Sequence, residues 1–453
     1  MNLYVVEDVF TPSTVPSVTY VRRSDPDVER QLVNALKTPG LIISLSGPTK
    51  SGKTALVRHL VPEKHLITIG GGSIVSADRL WERVLNAIGS PSSTTKRSSR
   101  TKGGGLSGSV KIPAFFASFL GVSASRTVSE GRDVTTTQNR EGIDQVIHEI
   151  GNTQYVVFLD DFHGMDTNVQ PQVCKQLKEA AEKGVKICTA SVPYRSHDVV
   201  RANSDLRGRI QGIDFGYWRN SEIQEIGRVG FAALGVSIAE DKIVNLAQEA
   251  FGSPQLMQAI CLNVCREIRI KETISPSVTL ELDERIHKLA LANTTTMTDH
   301  TTLLSTLHFG PKKHREKRHQ FHLKDASIGD VYRCVLLGIK EDPATLNFGF
   351  HDVLDRIKRI CLNDQPTGSS VKNALEQMVL MANALHPSER ILDWNDDVLH
   401  VEDPYFLFFL RHSLLLYKLG IKVASLPDMV GVRKEIESSG ILSSPEWGRG
   451  GRR

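Results

Sequence analysis

The chain has 453 residues, 40% of them hydrophobic and 23% charged, with Lys+Arg 55 against Asp+Glu 51 for a formal charge of +4. That is too long for one compact core and predicts two or three domains, and the mildly basic balance permits an acidic partner without requiring one. Six cysteines lie scattered among apolar residues with no C-x-x-C pair, which argues against a disulfide scaffold and for a reducing cytoplasm.

Residues 1–10, MNLYVVEDVF, carry two acids and no basic residue, so no secretory signal is predicted. The first forty residues read as an irregular arm, in which TPSTVPSVTY carries two prolines and many hydroxyls and leads into a helix. A helix over Pro26–Lys37 follows, with Val28, Leu32 and Leu36 on one stripe, and Gly40 ends it. Leu41–Leu45 is a short apolar run, a buried strand. A Gly-rich turn then leads into a helix from Lys53 to about Leu60. His65–Ile69 reads as strand and Ala77–Ile88 as helix, so the alternation predicts an α/β fold with a parallel sheet.

Residues 90–140 interrupt the rhythm. PSSTTKRSSRTKGGGLSGS offers almost nothing to bury and is expected to be a flexible insert. The alternation resumes with Gly142–Ile150 (helix), Tyr155–Leu159 (strand), Gln170–Glu182 (helix) and Val185–Ser191 (strand). From about 216 the chain turns helical, over Ser221–Leu234, Asp241–Ala250 and Pro254–Arg269. Three more helices are expected at about 327–340, 348–362 and 368–385. An extended pair around Arg390–Val401 and a long apolar helix from Asp403 follow. That stretch, Tyr405–Ile421, is interrupted by Arg411, His412 and Lys418 and falls short of the ~20 residues a membrane-spanning helix needs, so no membrane partner is predicted. The implied division is a core over 1–215, a helical region over 216–300, a basic linker over 301–325, a C-terminal domain over 326–425 and a loose tail over 426–453.

Two motifs carry chemistry. Gly47, Pro48, Thr49, Lys50, Ser51, Gly52, Lys53 and Thr54 match G-x-x-x-x-G-K-[ST] in full, between an apolar strand and an amphipathic helix. Glycines let the backbone curl round phosphate oxygens, and the N–H groups of the loop and helix start, Ala55 included, point inward. Lys53 is expected to reach the β and γ phosphates and Thr54 to ligate Mg²⁺. The second motif is YVVFLDD, Tyr155–Asp161. Its two acids end a buried strand, the edge at which parallel sheets bind ligands. Asp160 is read as the second magnesium group and Asp161 as the residue that orients the attacking water. The cofactors predicted are ATP and Mg²⁺.

With these two motifs and VKICTAS (Val185–Ser191), the sequence resembles the additional-strand P-loop ATPases. That superfamily includes AAA+ proteins, origin-recognition-type proteins and the STAND signalling ATPases. The resemblance spans about residues 15–290. It implies a strand between the two nucleotide motifs, a polar γ-phosphate sensor at Thr189 or Ser191, and a helical lid closing through Gly252-Ser253-Pro254. It implies an adenine-packing segment at Tyr20-Val21-Arg22-Arg23 and an arginine finger at Arg207 or Arg209, hence oligomers. Asp-Asp in place of the Asp-Glu usual in AAA+ enzymes fits slow switches better than motors. The cysteines Cys261 and Cys265, at i and i+4 on one helix, are read as core thiols.

Three helices and an extended pair are the order of a winged helix, with Ser369–Leu385 in the place of the recognition helix. Lys372, Asn373, Gln377 and Asn383 are its exposed candidates, a thin set for reading bases. Denser positive charge lies in Lys312–Lys324 (Lys312, Lys313, Arg315, Lys317, Arg318 and Lys324) and in Lys96–Lys102 of the insert, where nucleic-acid phosphates could bind. The expected function is an ATP-dependent switch that couples nucleotide state to oligomerisation or to a protein effector. The resemblance extends this to settings such as prokaryotic antiphage defence. The alternative is a DNA-associated AAA+ ATPase akin to origin or transposition loaders.

Overall fold

A computed structural model describes residues 3–23, 27–90, 93–97, 135–139, 142–192, 206, 208–297, 299–311, 318–386 and 390–420. Its contacts divide the chain into two compact units. One comprises Leu32–Leu45 and Val61–Gly212, and the other Met1–Gln31, Ser46–Leu60 and Ile213 onward. Arg207, most of the 90–140 insert, residues 312–317 and the tail lie outside the described residues.

The first unit is built on a five-stranded sheet. Its strands are β1 (Ile42–Ser46), β2 (Leu66–Gly70), β5 (Val156–Asp160), β6 (Lys186–Ser191) and β7 (Ile210–Asp214), in the order β2-β5-β6-β1-β7. β2, β5 and β6 pair in parallel. β6 therefore lies between the strands that end in the two sequence motifs, the placement the resemblance implied. Every residue of β1 is buried, which explains its unbroken apolar run: a strand covered on both faces has no solvent side to mark with polar residues. Helices Ala77–Ala87, Ile143–Ile150 and Gln170–Glu182 bring Leu80, Trp81, Val84, Val146, Val173 and Leu177 into the same core. Trp81 is the largest fully buried side chain among the described residues, and its Nε1–H donates to Gln176 Oε1 at 2.5 Å. Within the insert, β3 (Ser93–Arg97) and β4 (Thr135–Asn139) pair antiparallel.

The second unit holds the helix Lys53–Leu60 and the helices of the C-terminal half. Asn220–Ala233, Glu240–Glu249, Pro254–Glu267, Glu284–Thr294 and Thr301–Phe309 form its first part. β8 (Val236–Ile238) and β9 (Val278–Leu280) pair in parallel beside them. The Thr301–Phe309 helix was not predicted; its hydroxyl-rich sequence hides Leu303, Leu304 and Leu307, all buried. The arm also differs from the expectation of irregularity. Val6–Val9 is a helical turn, and Val6 N–H donates to Lys271 O at 2.9 Å. Phe10 is fully buried edge-on to Phe231, with ring centroids 5.2 Å apart. Short segments like this one draw their order from tertiary packing rather than from propensity.

After β10 (Phe321–His322) and β11 (Ile328–Gly329) come helices Val331–Lys340, Phe350–Ile360 and Gly368–Leu385. β13 (Leu392–Asn395) and β14 (Val398–Val401) make the expected extended pair, and β12 (Asn347–Gly349) joins it in the order β12-β14-β13. The apolar helix is shorter than its sequence suggested. It runs Pro404–His412, breaks at Ser413 (ψ 150) and resumes over Leu415–Gly420. Among the described residues no helix is long and apolar enough to cross a membrane. Two buried arginines anchor this part. Arg333 donates to Leu416 O at 2.8 Å and Ser327 Oγ at 2.9 Å; Arg356 donates to Asp352 at 2.9 Å and to the Glu341 and Pro343 carbonyls at 2.6 and 2.8 Å. Buried charge is tolerated only when satisfied in this way.

Candidate phosphate-binding site

The loop after β1 is shaped by its glycines. A Cβ on Gly47 would stand 2.4 Å from Phe215 Cβ and 2.5 Å from Phe215 O, closer than any side chain can lie. Gly52 takes φ +95, a left-handed value that glycine adopts without cost. The helix then begins at Lys53, with Leu56 N–H donating to Gly52 O at 2.9 Å. Lys53 is 7% exposed, and its ammonium donates to Gly47 O at 2.8 Å and Pro48 O at 2.7 Å. The hydroxyl of Ser51 is buried and has no partner among the described residues. An unsatisfied buried hydroxyl costs about 1–3 kcal/mol, and an anion seated at the helix start would satisfy it. Thr54 and Ala55, next in the helix, are partly exposed.

Residues far along the chain brace this loop. Trp218 Nε1–H donates to Ser51 O at 2.9 Å. Trp218 is itself held by Gly252, whose carbonyl accepts Trp218 N–H at 3.1 Å. Gly252 has φ +71, and a Cβ there would lie 2.9 Å from Trp218 O. Ser253 then caps the next helix, its side chain accepting from Leu256 N–H, with Pro254 at the first helical position. The Gly252-Ser253-Pro254 motif thus reaches the loop through Trp218.

A second brace comes from the C-terminal helix. Lys50, at φ 61 in the loop, places its ammonium 3.7 Å from Asp403 Oδ1 and 3.9 Å from the centre of the Tyr405 ring. Asp403 caps its own helix by accepting Tyr405 N–H at 3.0 Å. His300 Nε2 stands 3.4 Å from Asp403 Oδ2, an ion-pair distance without hydrogen-bond geometry. Burial pushes the Asp403 carboxyl up, but His300, Lys50 and the Tyr405 N–H outweigh it and hold it below the usual carboxylate range. Tyr217 O–H donates to Glu402 O at 3.1 Å beside this contact. Sequence reasoning missed Trp218, His300, Asp403 and Tyr405 as neighbours of the loop. No local feature of their sequence says what these residues touch.

The two motif acids belong to the sheet-bearing unit. Asp160 closes β5, partly exposed. Asp161 follows in a left-handed conformation, φ 50 and ψ 47, with its side chain exposed. Its N–H donates to Asp160 Oδ1 at 3.1 Å. Its carbonyl accepts Gly164 N–H at 2.8 Å and presses on Gly71, where a Cβ would meet it at 2.2 Å. Ser191 ends β6 and is buried; Thr189, two residues before, donates from Oγ1 to Ile43 O at 3.3 Å. Burial and nearby Asp160 push the Cys188 thiol up, which leaves it inert.

Other sequence candidates take defined places. Tyr20 stacks on His59 with ring centroids 3.7 Å apart and donates to Glu29 at 2.9 Å. Arg22 is exposed beside Asp27 and Glu29. The buried arginine of that segment is Arg23, which donates to Gly216 O at 3.2 Å and lies over the Trp218 ring. Arg209 pairs with Glu182 at 3.0 Å. In the basic run, Arg318 donates to the Phe309 carbonyl at 2.5 Å and to Asp330 at 2.8 Å, and lies over Tyr332. That guanidinium is consumed by the fold. Lys372, the lone cation of its helix, pairs with Asp397 in the turn after β13. Cys261 and Cys265 are buried. Among the described residues no group of three or more His, Cys, Asp or Glu could hold a metal. Thr54 offers a hydroxyl and Asp160 a carboxylate, each by itself the kind of oxygen donor that a hard cation takes.

No protein-family model matches the sequence, and no curated protein does. Solved structures do resemble it. A Walker-type ATPase of Pyrococcus abyssi is similar at 15% identity over 86% of this chain and 97% of that chain, with a TM-score of 0.47. Cdc6p from Pyrobaculum aerophilum is similar at 14% identity over 92% and 99%, TM-score 0.39. The ORC2 protein of Aeropyrum pernix is similar at 10% identity over 91% and 98%, TM-score 0.47. The sheet order and the strand–loop–helix unit at Gly47–Thr54 are those of a P-loop NTPase core.

Proposed function

We propose that this protein is an ATP-binding and ATP-hydrolysing switch of the AAA+ class, in which nucleotide state governs oligomerisation or the hold on a partner. The observation that carries it is the Gly47–Thr54 loop, with its obligatory glycines, buried lysine and unpartnered Ser51 hydroxyl at a helix start. Lys53 would exchange its loop carbonyls for phosphate oxygens. Thr54 and Asp160 would hold Mg²⁺, which when bound neutralises charge on the transferring phosphoryl group. Asp161, exposed at the strand end, would orient the attacking water. Ser191 would serve as the polar sensor and Gly252 and Pro254 would shape the lid. Arg207 or Arg209 would act in trans, which requires release of Arg209 from Glu182. The C-terminal helices and β-hairpin are read as a winged helix presenting a protein-contact surface. The engagement of Arg318 and Lys372 favours that role over DNA reading.

The test is nucleotide binding and turnover by the purified chain, beside Lys53→Ala and Asp161→Asn, with and without DNA at low and moderate salt. The wild type is expected to bind ATP and turn it over slowly. Lys53→Ala should lose binding, and Asp161→Asn should bind but not hydrolyse. Failure of the wild type to bind ATP, or equal binding by Lys53→Ala, overturns the reading. Strong stimulation by DNA that fades as salt rises would replace the partner switch with the DNA-associated alternative.

A further inference from the structure

The contact between Lys50 and the C-terminal helix is unusual on two counts. Lys50 lies within the phosphate loop at φ 61, a left-handed conformation that disfavours any residue with a Cβ. A glycine would relieve that strain, yet a long cationic side chain stands there. Its side chain, 30% exposed, also brings the ammonium to the Asp403 carboxylate at 3.7 Å and the Tyr405 ring face at 3.9 Å. Asp403 is 7% exposed and Tyr405 is 3% exposed, so this carboxylate and ring are part of a packed surface rather than a flexible fringe.

We propose that Asp403 and Tyr405 are positioning residues of the nucleotide site: they hold the Lys50 ammonium on the C-terminal domain, and a bound triphosphate competes with them for it. The inference rests on the nucleotide reading of the loop. Its physical basis is charge. Lys50 sits three residues before Lys53 in a loop built to wrap phosphate oxygens. While Asp403 neutralises Lys50, the loop offers one cation fewer and a carboxylate stands nearby. Both effects weaken the attraction for a polyanion. By linkage, whatever nucleotide loses to this contact the contact loses to nucleotide. ATP binding therefore loosens the hold of the Pro404–His412 helix on the loop, which gives the switch its moving part.

Asp403→Asn removes the charge and keeps an oxygen to accept Tyr405 N–H. The experiment is titration of each variant with a fluorescent ATP analogue, with hydrogen exchange of residues 403–412 followed with and without ATP. Asp403→Asn is expected to tighten binding at least fivefold. In a Lys50→Ala background the same substitution should change binding less than twofold, because the contested ammonium is gone. Lys50→Arg, which retains the ion pair, should behave like the wild type. ATP should speed exchange in 403–412 of the wild type but not of Lys50→Ala. A residue of purely structural importance would show no dependence on Lys50. Unchanged or weaker binding in Asp403→Asn, or the same gain with and without Lys50, overturns the proposal. Should Asp403→Asn misfold, Tyr405→Leu tests the ring alone and must tighten binding at least twofold. If neither wild type nor variant binds the analogue, the nucleotide reading falls and this proposal with it; if all bind equally, only this proposal falls.

Discussion

Arg411 should be among the costliest single side chains to remove. Its guanidinium, 9% exposed, grips Glu249, the last residue of the Glu240–Glu249 helix, with two hydrogen bonds, Nε to Oε2 at 3.1 Å and Nη2 to Oε1 at 2.9 Å. It also donates to Lys340 O at 2.6 Å and to Asp342 at 2.8 Å. His412 adds a contact to the same carboxylate at 2.7 Å. Burial raises the Glu249 carboxyl, but His412 and Arg411 outweigh it and hold it at about 2. Arg411→Met keeps most of the apolar stem and strands Glu249 with one partner. Breaking a buried pair from one side costs about 3–5 kcal/mol. The assay is urea denaturation followed by circular dichroism at pH 7, with Arg411→Met/Glu249→Gln alongside. The double variant should recover part of the loss, since no buried carboxylate is left unpaired. Acid adds a second readout. A carboxylate at about 2 in the fold and near 4.5 unfolded contributes stability that is present above pH 4.5. That contribution, at most about 3 kcal/mol, is lost as pH falls from 4.5 towards 2, and Arg411→Met should lose much of this dependence. A loss below about 1 kcal/mol in Arg411→Met, the range of surface pairs, would refute the argument.

Three further outcomes follow from the same contacts. Gly47→Ala should abolish nucleotide binding in equilibrium dialysis while the far-ultraviolet spectrum stays native, because its Cβ would stand 2.5 Å from Phe215 O and displace the loop. Trp218→Phe keeps the ring but removes the donor to Ser51 O; one lost hydrogen bond of about 1 kcal/mol predicts roughly fivefold weaker ATP binding with little change in melting temperature. His308 is pulled down to about 4 by burial and by Arg333, so it is neutral in the fold at pH values where the unfolded chain protonates it. Its contribution is present above pH 6.5 and lost as pH falls towards 4. His308→Gln should flatten the melting temperature across that window, and an unchanged slope would remove His308 as the cause.

Much of the core was legible because its signals are local. The apolar run of β1, the glycines at Gly47 and Gly52 and the helix from Lys53 sit next to one another in sequence, and each demands its conformation by sterics or burial. β5, with Asp160 at its end and Asp161 just after, was readable for the same reason, as was the helix Gln170–Glu182. The misses are segments whose order is imposed from elsewhere. Val6–Val9 is too short to hold itself and relies on Lys271 and Phe231. Thr301–Phe309 mixes hydroxyl residues with Leu303, Leu304 and Leu307, and it is their burial that shows the helix.

The sequence by itself determined that a strand, a phosphate-type loop and a helix follow one another at Ile42–Leu60, because turn sterics and hydrophobic periodicity act within a few residues. It could not determine which of many charged side chains would find partners. Arg318 was one cation in a basic run until the fold spent it on the Phe309 carbonyl and Asp330. Lys50 was one residue of a motif until packing set it against Asp403, some 350 residues on. Such pairings depend on distances that only the folded chain defines, since a charge reads the field of its spatial neighbours and not of its sequence neighbours.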